Sequence, residues 1–275
     1  MTPLEAVRDV ARELDEAGVP SPRVDAEHLA AHVLGLTRTE LYASDRELSA
    51  DERGDLAALV ERRRAREPLA YVLGEWGFRR LTLGVDRRAL VPRPETEVVV
   101  ERCLARLEGV PRPRVLDVGT GSGAIALAIA DEHPGAEVIG VDRSAEALSL
   151  AVENARRTGL DGRVELRRGD LLTGLEGQFH LVVSNPPYVA TAEFDGLQPE
   201  IRLYEPYEAV VGDGVWQAIA GASLDALRAD GWLVLECGDG QAAAVAAGLD
   251  SLGYADVLAT PDLAGRDRVV EGRRP

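Results

Sequence analysis

The chain contains no lysine: all 31 cationic side chains among its 275 residues are arginine. That excludes a Schiff-base lysine and the lysine of a phosphate-binding loop. Cysteine is scarce. Cys103 and Cys237 stand far apart and in no motif, so they are expected as reduced, core-filling thiols of a cytoplasmic protein. Aromatics make up only 4% of the residues, and no aromatic-rich recognition segment stands out. Cations are outnumbered, and the formal net charge of -16 disfavours stable nucleic acid binding, which needs clustered positive charge. The run Arg62-Arg63-Arg64 reads as a solvated helix face. No apolar run approaches the length of a membrane span, and the N-terminus carries no signal-peptide pattern. His28 and His32 have helical metal-ligand spacing but no third ligand nearby, so they read as an ordinary helix face and no metal is expected. A monomer is the expected state.

What remains is ordinary globular composition, 45% hydrophobic and 28% charged, in a chain long enough for about two domains. Residues 1–73 read as helical. Leu4, Val7, Val10, Ala11 and Leu14 recur at helical spacing, Pro20 and Pro22 interrupt, and a second helix runs from about Val24 to Leu34 and stops at Gly35. A third covers about Ser49 to Ala65, with Ser49 and Glu52 as a capping box. Residues 74–92 change texture: Trp76, Phe78, Leu81, Leu83 and Val85 alternate, which predicts a β-hairpin connector. In residues 93–275, a helix over Val98 to Leu107 precedes alternating elements. Strands are expected at 114–118, 136–142, 163–168, 179–184 and 231–236. Helices are expected at 122–132, 144–157, 214–228 and 239–250. Two last strands fit near 253–259 and 267–272. The fold class is therefore α/β, a mostly parallel sheet covered on both faces, with a small N-terminal helical bundle. Residues 189–212 form the longest irregular stretch and read as a substrate lid.

Two strand ends carry the candidate chemistry. Asp117-Val118-Gly119-Thr120-Gly121-Ser122-Gly123 runs from strand through loop to helix start. Gly119 and Gly121 allow close backbone approach, Gly123 allows close helix packing, and the helix N-terminus suits a polar or anionic ligand end. A nucleotide-type cofactor is implied, dinucleotide or otherwise. Asp142, at the end of the next strand, suits a ribose diol or a helix N-cap. Asp170 and Leu171 suit an adenine amine and ring face, or an ordinary loop and core.

The second strand end is Asn185-Pro186-Pro187-Tyr188, after the apolar run from Phe179 to Ser184. Two prolines stiffen the backbone and remove two donors. The Asn185 side-chain oxygen and the Pro186 carbonyl remain as a cluster of acceptors suited to a planar –NH2 group. Tyr188 either stacks on that group or packs beside it. The residues alone leave a nucleobase amine and a carboxamide both open. A nicotinamide oxidoreductase or a non-catalytic binder would use the glycine loop but leave this turn unexplained.

Further segments carry a resemblance. These are Pro68 to Gly74, Val91-Pro92-Arg93-Pro94-Glu95-Thr96-Glu97, Tyr204-Glu205-Pro206, and Asp262-Leu263-Ala264-Gly265-Arg266-Asp267-Arg268. With the glycine loop and the Asn-Pro-Pro-Tyr turn, they make the chain resemble, over nearly its full length, the class I S-adenosyl-L-methionine-dependent methyltransferases. Within these it is most similar to the release factor glutamine methyltransferases. The resemblance implies a Rossmann-like seven-stranded methyltransferase sheet and S-adenosyl-L-methionine as cofactor. It implies that Asp117, Gly119, Thr120, Gly121, Ser122 and Gly123 serve the methionine end, Asp142 the ribose, and Asp170 and Leu171 the adenine, with Asn185 also among the cofactor-binding residues. Asn185, Pro186, Pro187 and Tyr188 would bind the substrate glutamine, with Asn185, Pro186 and Tyr188 catalytic. The implied partners are the class 1 peptide chain release factors, docked by residues 1–73. Arg93 and Glu95 would organise either the cofactor pocket or the substrate mouth, whereas Glu236-Cys237-Gly238, at a strand end, reads as structural, with bordering the site as the alternative.

Overall fold

The computed structural model describes residues 1–175 and 177–275. They fall into two compact units. The smaller comprises Met1–Gly74 together with Gln198–Tyr204; the larger comprises Glu75–Leu197 and Glu205–Pro275.

The smaller unit is built from α1 (Pro3–Glu16), α2 (Pro22–Leu34), α3 (Arg38–Ala43), α4 (Ala50–Arg64) and α5 (Leu69–Leu73). Capping boxes start α1 at Thr2/Glu5, α3 at Thr37/Glu40 and α4 at Ser49/Glu52. Pro22 opens α2 at a first-turn position, where its missing N–H costs nothing. Leu14, Leu29, Leu41, Leu56 and Val60 meet in the core of this unit. Beneath it, Arg63 donates to Asp25 at 2.7 Å, and both side chains are buried.

The larger unit opens with a hairpin, β1 (Glu75–Phe78) and β2 (Leu81–Gly84), then α6 (Thr96–Arg106). There follow β3 (Arg114–Val118), α7 (Ala124–Glu132), β4 (Glu137–Asp142), α8 (Ala145–Arg157), β5 (Val164–Arg168) and β6 (Phe179–Ser184). Next come α9 (Pro199–Tyr204), which belongs to the smaller unit, and α10 (Tyr207–Val210). The chain closes with α11 (Val215–Ala226), β7 (Leu227–Glu236), α12 (Ala242–Leu252), β8 (Ala255–Pro261) and β9 (Asp267–Arg273). The seven-stranded sheet has the order β5-β4-β3-β6-β7-β9-β8, parallel as far as β7 and antiparallel through β9.

The sheet is covered on both faces, as its near-continuous apolar strands require. Val115, Leu181 and Val183 pack with Val99, Cys103 and Leu127 on one side. Leu116, Val182, Leu233 and Leu235 pack with Ile219, Val245 and Leu249 on the other. Neighbouring residues of one strand thus enter opposite cores, as a period of two demands. Among the described residues no helix is long and apolar enough to cross a membrane.

Two expectations are corrected. Residues 189–212 are not irregular: a 3-10 turn at Thr191–Gly196, α9 and α10 occupy most of them. Their ends are drawn together, with Val189 N donating to Val210 O at 3.2 Å and Gly212 N to Val189 O at 3.1 Å. Strand β7 starts at Leu227 rather than 231, and a register shift opposite Phe179/Leu181 accommodates Asp230 at φ 62 and Gly231. The short α3 lies between the second and third expected helices; its six residues carry too little periodicity to register in sequence.

Candidate active site

Strand β3 pairs with β4 on one side and β6 on the other. The chain leaves β3 towards β4 and leaves β6 towards β7, in opposite directions, so the carboxyl ends of β3 and β6 flank a topological switch point, where open α/β sheets bind ligands. A cavity of about 450 Å³ lies there, large enough for a nucleotide-sized molecule. Its wall includes Gly119, Thr120, Gly121, Ser122, Asp142, Asp170 and Leu171, together with Asn185, Pro186 and Pro187. Arg88–Pro92, Pro206, Glu208, Ala209, Val215, Ala218 and Ile219 also line it.

The glycine loop is a hydrogen-bonded cup. Gly119 N and Thr120 N both donate to Val141 O, at 2.8 and 3.0 Å. Asp142 receives Gly121 N on Oδ2 and Ser144 N on Oδ1, both at 2.9 Å. Each carboxylate oxygen can accept a second bond, so Asp142 braces the loop and remains able to take a diol at the cavity wall. Gly140, on β4, closes the underside: a Cβ there would lie 2.8 Å from Thr120 Oγ1 and 2.9 Å from Leu166 Cδ2. Gly123 begins α7 at φ 85, with room for Leu127 and for Ala151 of α8. Asn154 ties this loop to the hairpin, donating to Ser122 O at 2.9 Å and Gly84 O at 3.0 Å while accepting from Gly84 N at 2.7 Å.

Asp117 is expected among the cofactor-binding residues. It is buried behind the loop, where Oδ2 accepts from Thr120 Oγ1 at 2.6 Å and from Ala126 N at 3.2 Å. Its Oδ1 is buried with no hydrogen-bond partner. Burial pushes this carboxyl up to about 7, against the lowering effect of those two donors. An orphaned acceptor beside a glycine cup, an acidic residue at the wall and apolar Leu171 and Ile125 together suit a nucleoside carrying an amino-acid end, which is the composition of S-adenosyl-L-methionine. Leu171 itself has φ 50, an unusual conformation for a branched residue.

The Asn-Pro-Pro-Tyr turn is held from several directions. Ser184 donates to Val118 O at 2.7 Å, locking the end of β6 to that of β3. Pro187 packs on Gly212, where any Cβ would come within 2.5 Å of Pro187 O. Gln241 Nε2 donates to Tyr188 O at 2.9 Å. The Tyr188 ring turns toward Gly238, whose added Cβ would meet its Cδ2 at 3.0 Å; burial raises its phenol to about 12. The Tyr188 ring thus packs against Gly238, while Asn185, Pro186 and Pro187 line the cavity.

Composition and periodicity did not reveal the partners of Asn185. Its Nδ2 donates to Thr96 Oγ1 at 3.3 Å, and Thr96 Oγ1 donates to Glu236 Oε2 at 2.7 Å. Arg93 and Glu205, from two separate motif segments, form an ion pair. Cys237 is pushed up to about 11 by burial and Cys103 well above its ordinary value, so neither supplies a thiolate at neutral pH.

Comparison with known proteins agrees with this geometry. Residues 5–74 match the family model described as PrmC N-terminal domain, and residues 96–203 match the methyltransferase small domain. A release factor glutamine methyltransferase of Deinococcus radiodurans is 47% identical over 95% of this chain and 94% of its own. One of Geobacter sulfurreducens is 43% identical over 94% and 92%. The solved ribosomal protein L11 methylase of Lactobacillus delbrueckii subsp. bulgaricus shares the fold, with a TM-score of 0.50 and 23% identity over 68% of this chain and 81% of that one. The chain belongs to the release factor glutamine methyltransferase family.

Proposed function

We propose that this protein transfers the methyl group of S-adenosyl-L-methionine to the side-chain amide nitrogen of the glutamine in the Gly-Gly-Gln motif of bacterial class 1 release factors, and so modulates translation termination. The observation that carries this reading is the presence of Asn185 and the glycine cup in the lining of one cavity, at the ends of the neighbouring strands β6 and β3. When bound, the cofactor supplies a methyl group on a positively charged sulfur, already activated for transfer.

The residues of the chain do the rest. Gly119 to Ser122 receive the methionine end, Asp142 the ribose hydroxyls, and Asp170 with Leu171 the adenine. A carboxamide nitrogen is a poor nucleophile, because its lone pair is delocalised into the carbonyl. The Asn185 side-chain oxygen and the Pro186 carbonyl accept from its –NH2 and aim it for in-line attack. Positive charge grows on nitrogen as the new carbon bond forms, so both acceptors bind the transition state more tightly than the ground state. The methylated nitrogen is acidic and sheds a proton readily, leaving a neutral N-methyl amide. The rigid turn, rather than a strong base, is the main device.

The family membership of the chain favours glutamine over a nucleobase amine as acceptor, and so does the acidic balance. Residues 1–74, with α9, would dock the body of the release factor. The test is methyl transfer from labelled cofactor to purified release factor, ribosomal protein and DNA in parallel, with mass spectrometry of the Gly-Gly-Gln peptide. Label on that glutamine alone supports the proposal. Label on DNA bases, with none on the factor, would replace it with a nucleobase amino-methyltransferase.

A further inference from the structure

We propose that Thr96 and Glu236 form a hydrogen-bond relay that decides which end of the Asn185 carboxamide faces the cavity. This rests on the reading of Asn185 as the acceptor for the substrate –NH2, and it makes Thr96 and Glu236 positioning residues for that reaction.

A carboxamide has a donor end and an acceptor end of nearly equal shape. Only the acceptor end serves a substrate –NH2, so a flipped Asn185 would present its own –NH2 to another and repel it. Something must break the symmetry. Asn185 Nδ2 lies 3.3 Å from Thr96 Oγ1, and Thr96 Oγ1 lies 2.7 Å from Glu236 Oε2. An ionised Glu236 can only accept. It therefore takes the hydroxyl hydrogen of Thr96, and the Thr96 oxygen is left to Asn185 as an acceptor. The –NH2 end of Asn185 must turn to Thr96, and Oδ1 is left for the cavity. The three residues come from three elements: Thr96 from the first turn of α6, Asn185 from the end of β6, and Glu236 from the last position of β7. Thr96 and Glu236 are buried, so water does not compete for the relay.

Protonation of Glu236 would undo the polarity. The acid could then donate to Thr96, and the Thr96 hydrogen would be free to seek the carbonyl end of Asn185. Burial pushes Glu236 up to about 7, with Glu95 adding to the rise and Thr96, Arg268 and Arg93 opposing it. Arg93 is itself paired with Glu205, and Arg268 with Asp262. Tyr188 and Cys237, also close, stay neutral in this range.

The test is the pH dependence of kcat, with cofactor affinity measured alongside, for wild type and for Thr96→Val, Thr96→Ser, Glu236→Gln and Asn185→Ala. Wild-type kcat should rise through a step near pH 7, and Thr96→Ser should keep that step. Glu236→Gln should lose it, because its amide does not titrate. Thr96→Val should lower kcat by about tenfold to a hundredfold, the usual scale for a lost supporting hydrogen bond, with cofactor affinity within about twofold. A step that persists unmoved in Glu236→Gln, or a Thr96→Val enzyme with wild-type kcat and profile, overturns the relay. If Thr96→Val fails to fold, the steps in Glu236→Gln and Thr96→Ser decide the matter. Wild-type turnover in Asn185→Ala would instead overturn the reading of Asn185 on which the relay stands.

Discussion

Arg93 Nη2 lies 2.6 and 2.7 Å from the two carboxylate oxygens of Glu205. Glu205 is the residue at which the chain re-enters the larger unit after α9, and Pro206, Glu208 and Ala209 beyond it line the cavity. The pair therefore anchors one wall of the site to the segment ahead of α6. The Glu205 side chain is 1% exposed, and burial raises its carboxyl despite the adjacent guanidinium.

Removal of Arg93 leaves that carboxylate buried and unpaired. Arg93→Ala should cost ~3–5 kcal/mol of stability at neutral pH, the usual penalty for breaking a buried pair. The raised carboxyl binds a proton more readily in the folded state, so the deficit should shrink as pH falls. Thermal unfolding at pH 5 and pH 8 checks both statements. Arg93→Ala paired with Glu205→Gln should be more stable at pH 8 than Arg93→Ala alone.

Gly140 makes no contact of its own with the cavity, yet it governs the cup. A methyl group at 140 must displace both Thr120 Oγ1 and Leu166 Cδ2, each under 3 Å away. Moving Thr120 breaks its bond to Asp117 and shifts Gly119 and Gly121. Gly140→Ala should weaken S-adenosyl-L-methionine binding by about tenfold or more, equivalent to ~1.4 kcal/mol. Calorimetric titration measures it directly.

Asp117 makes the stability of the unliganded protein depend on pH. Its folded value of about 7 lies above that of an unburied aspartate. The stability this group contributes is complete below the unfolded value and is lost as pH rises through about 7. Asp117→Asn should therefore match wild type near pH 4 and exceed it at pH 8, where denaturant melts of the two proteins can be compared. Glu236, also raised to about 7, leaves part of the slope in place.

Strands and the glycine cup were legible in the sequence because their signals are local. Apolar runs such as Phe179 to Ser184 can only be buried strands in an alternating pattern, and Gly119, Gly121 and Gly123 sit between a strand and a helix. Ser49 with Glu52 marked the start of α4 for the same reason. Relationships between distant residues were not legible. Glu200 pairs with Arg63 at 2.9 Å and with Arg66 at 2.7 Å, which brings α9 into the smaller unit across more than 130 positions of sequence. Thr96 and Asn185 meet across 89 positions. Tyr188 carried an aromatic ring next to Asn185, but proximity in sequence did not reveal that Gly238 leaves space for it on the other side.

The central claim is that Asn185 holds the substrate amide while the cofactor is held elsewhere. Asn185→Ala separates the two. Cofactor affinity should stay within about twofold of wild type, and kcat for methylation of intact release factor should fall by about 10²–10³, the scale of a lost transition-state hydrogen bond. Single-turnover transfer of labelled methyl to the Gly-Gly-Gln glutamine is the measurement. Turnover near the wild-type rate in that variant would contradict the account.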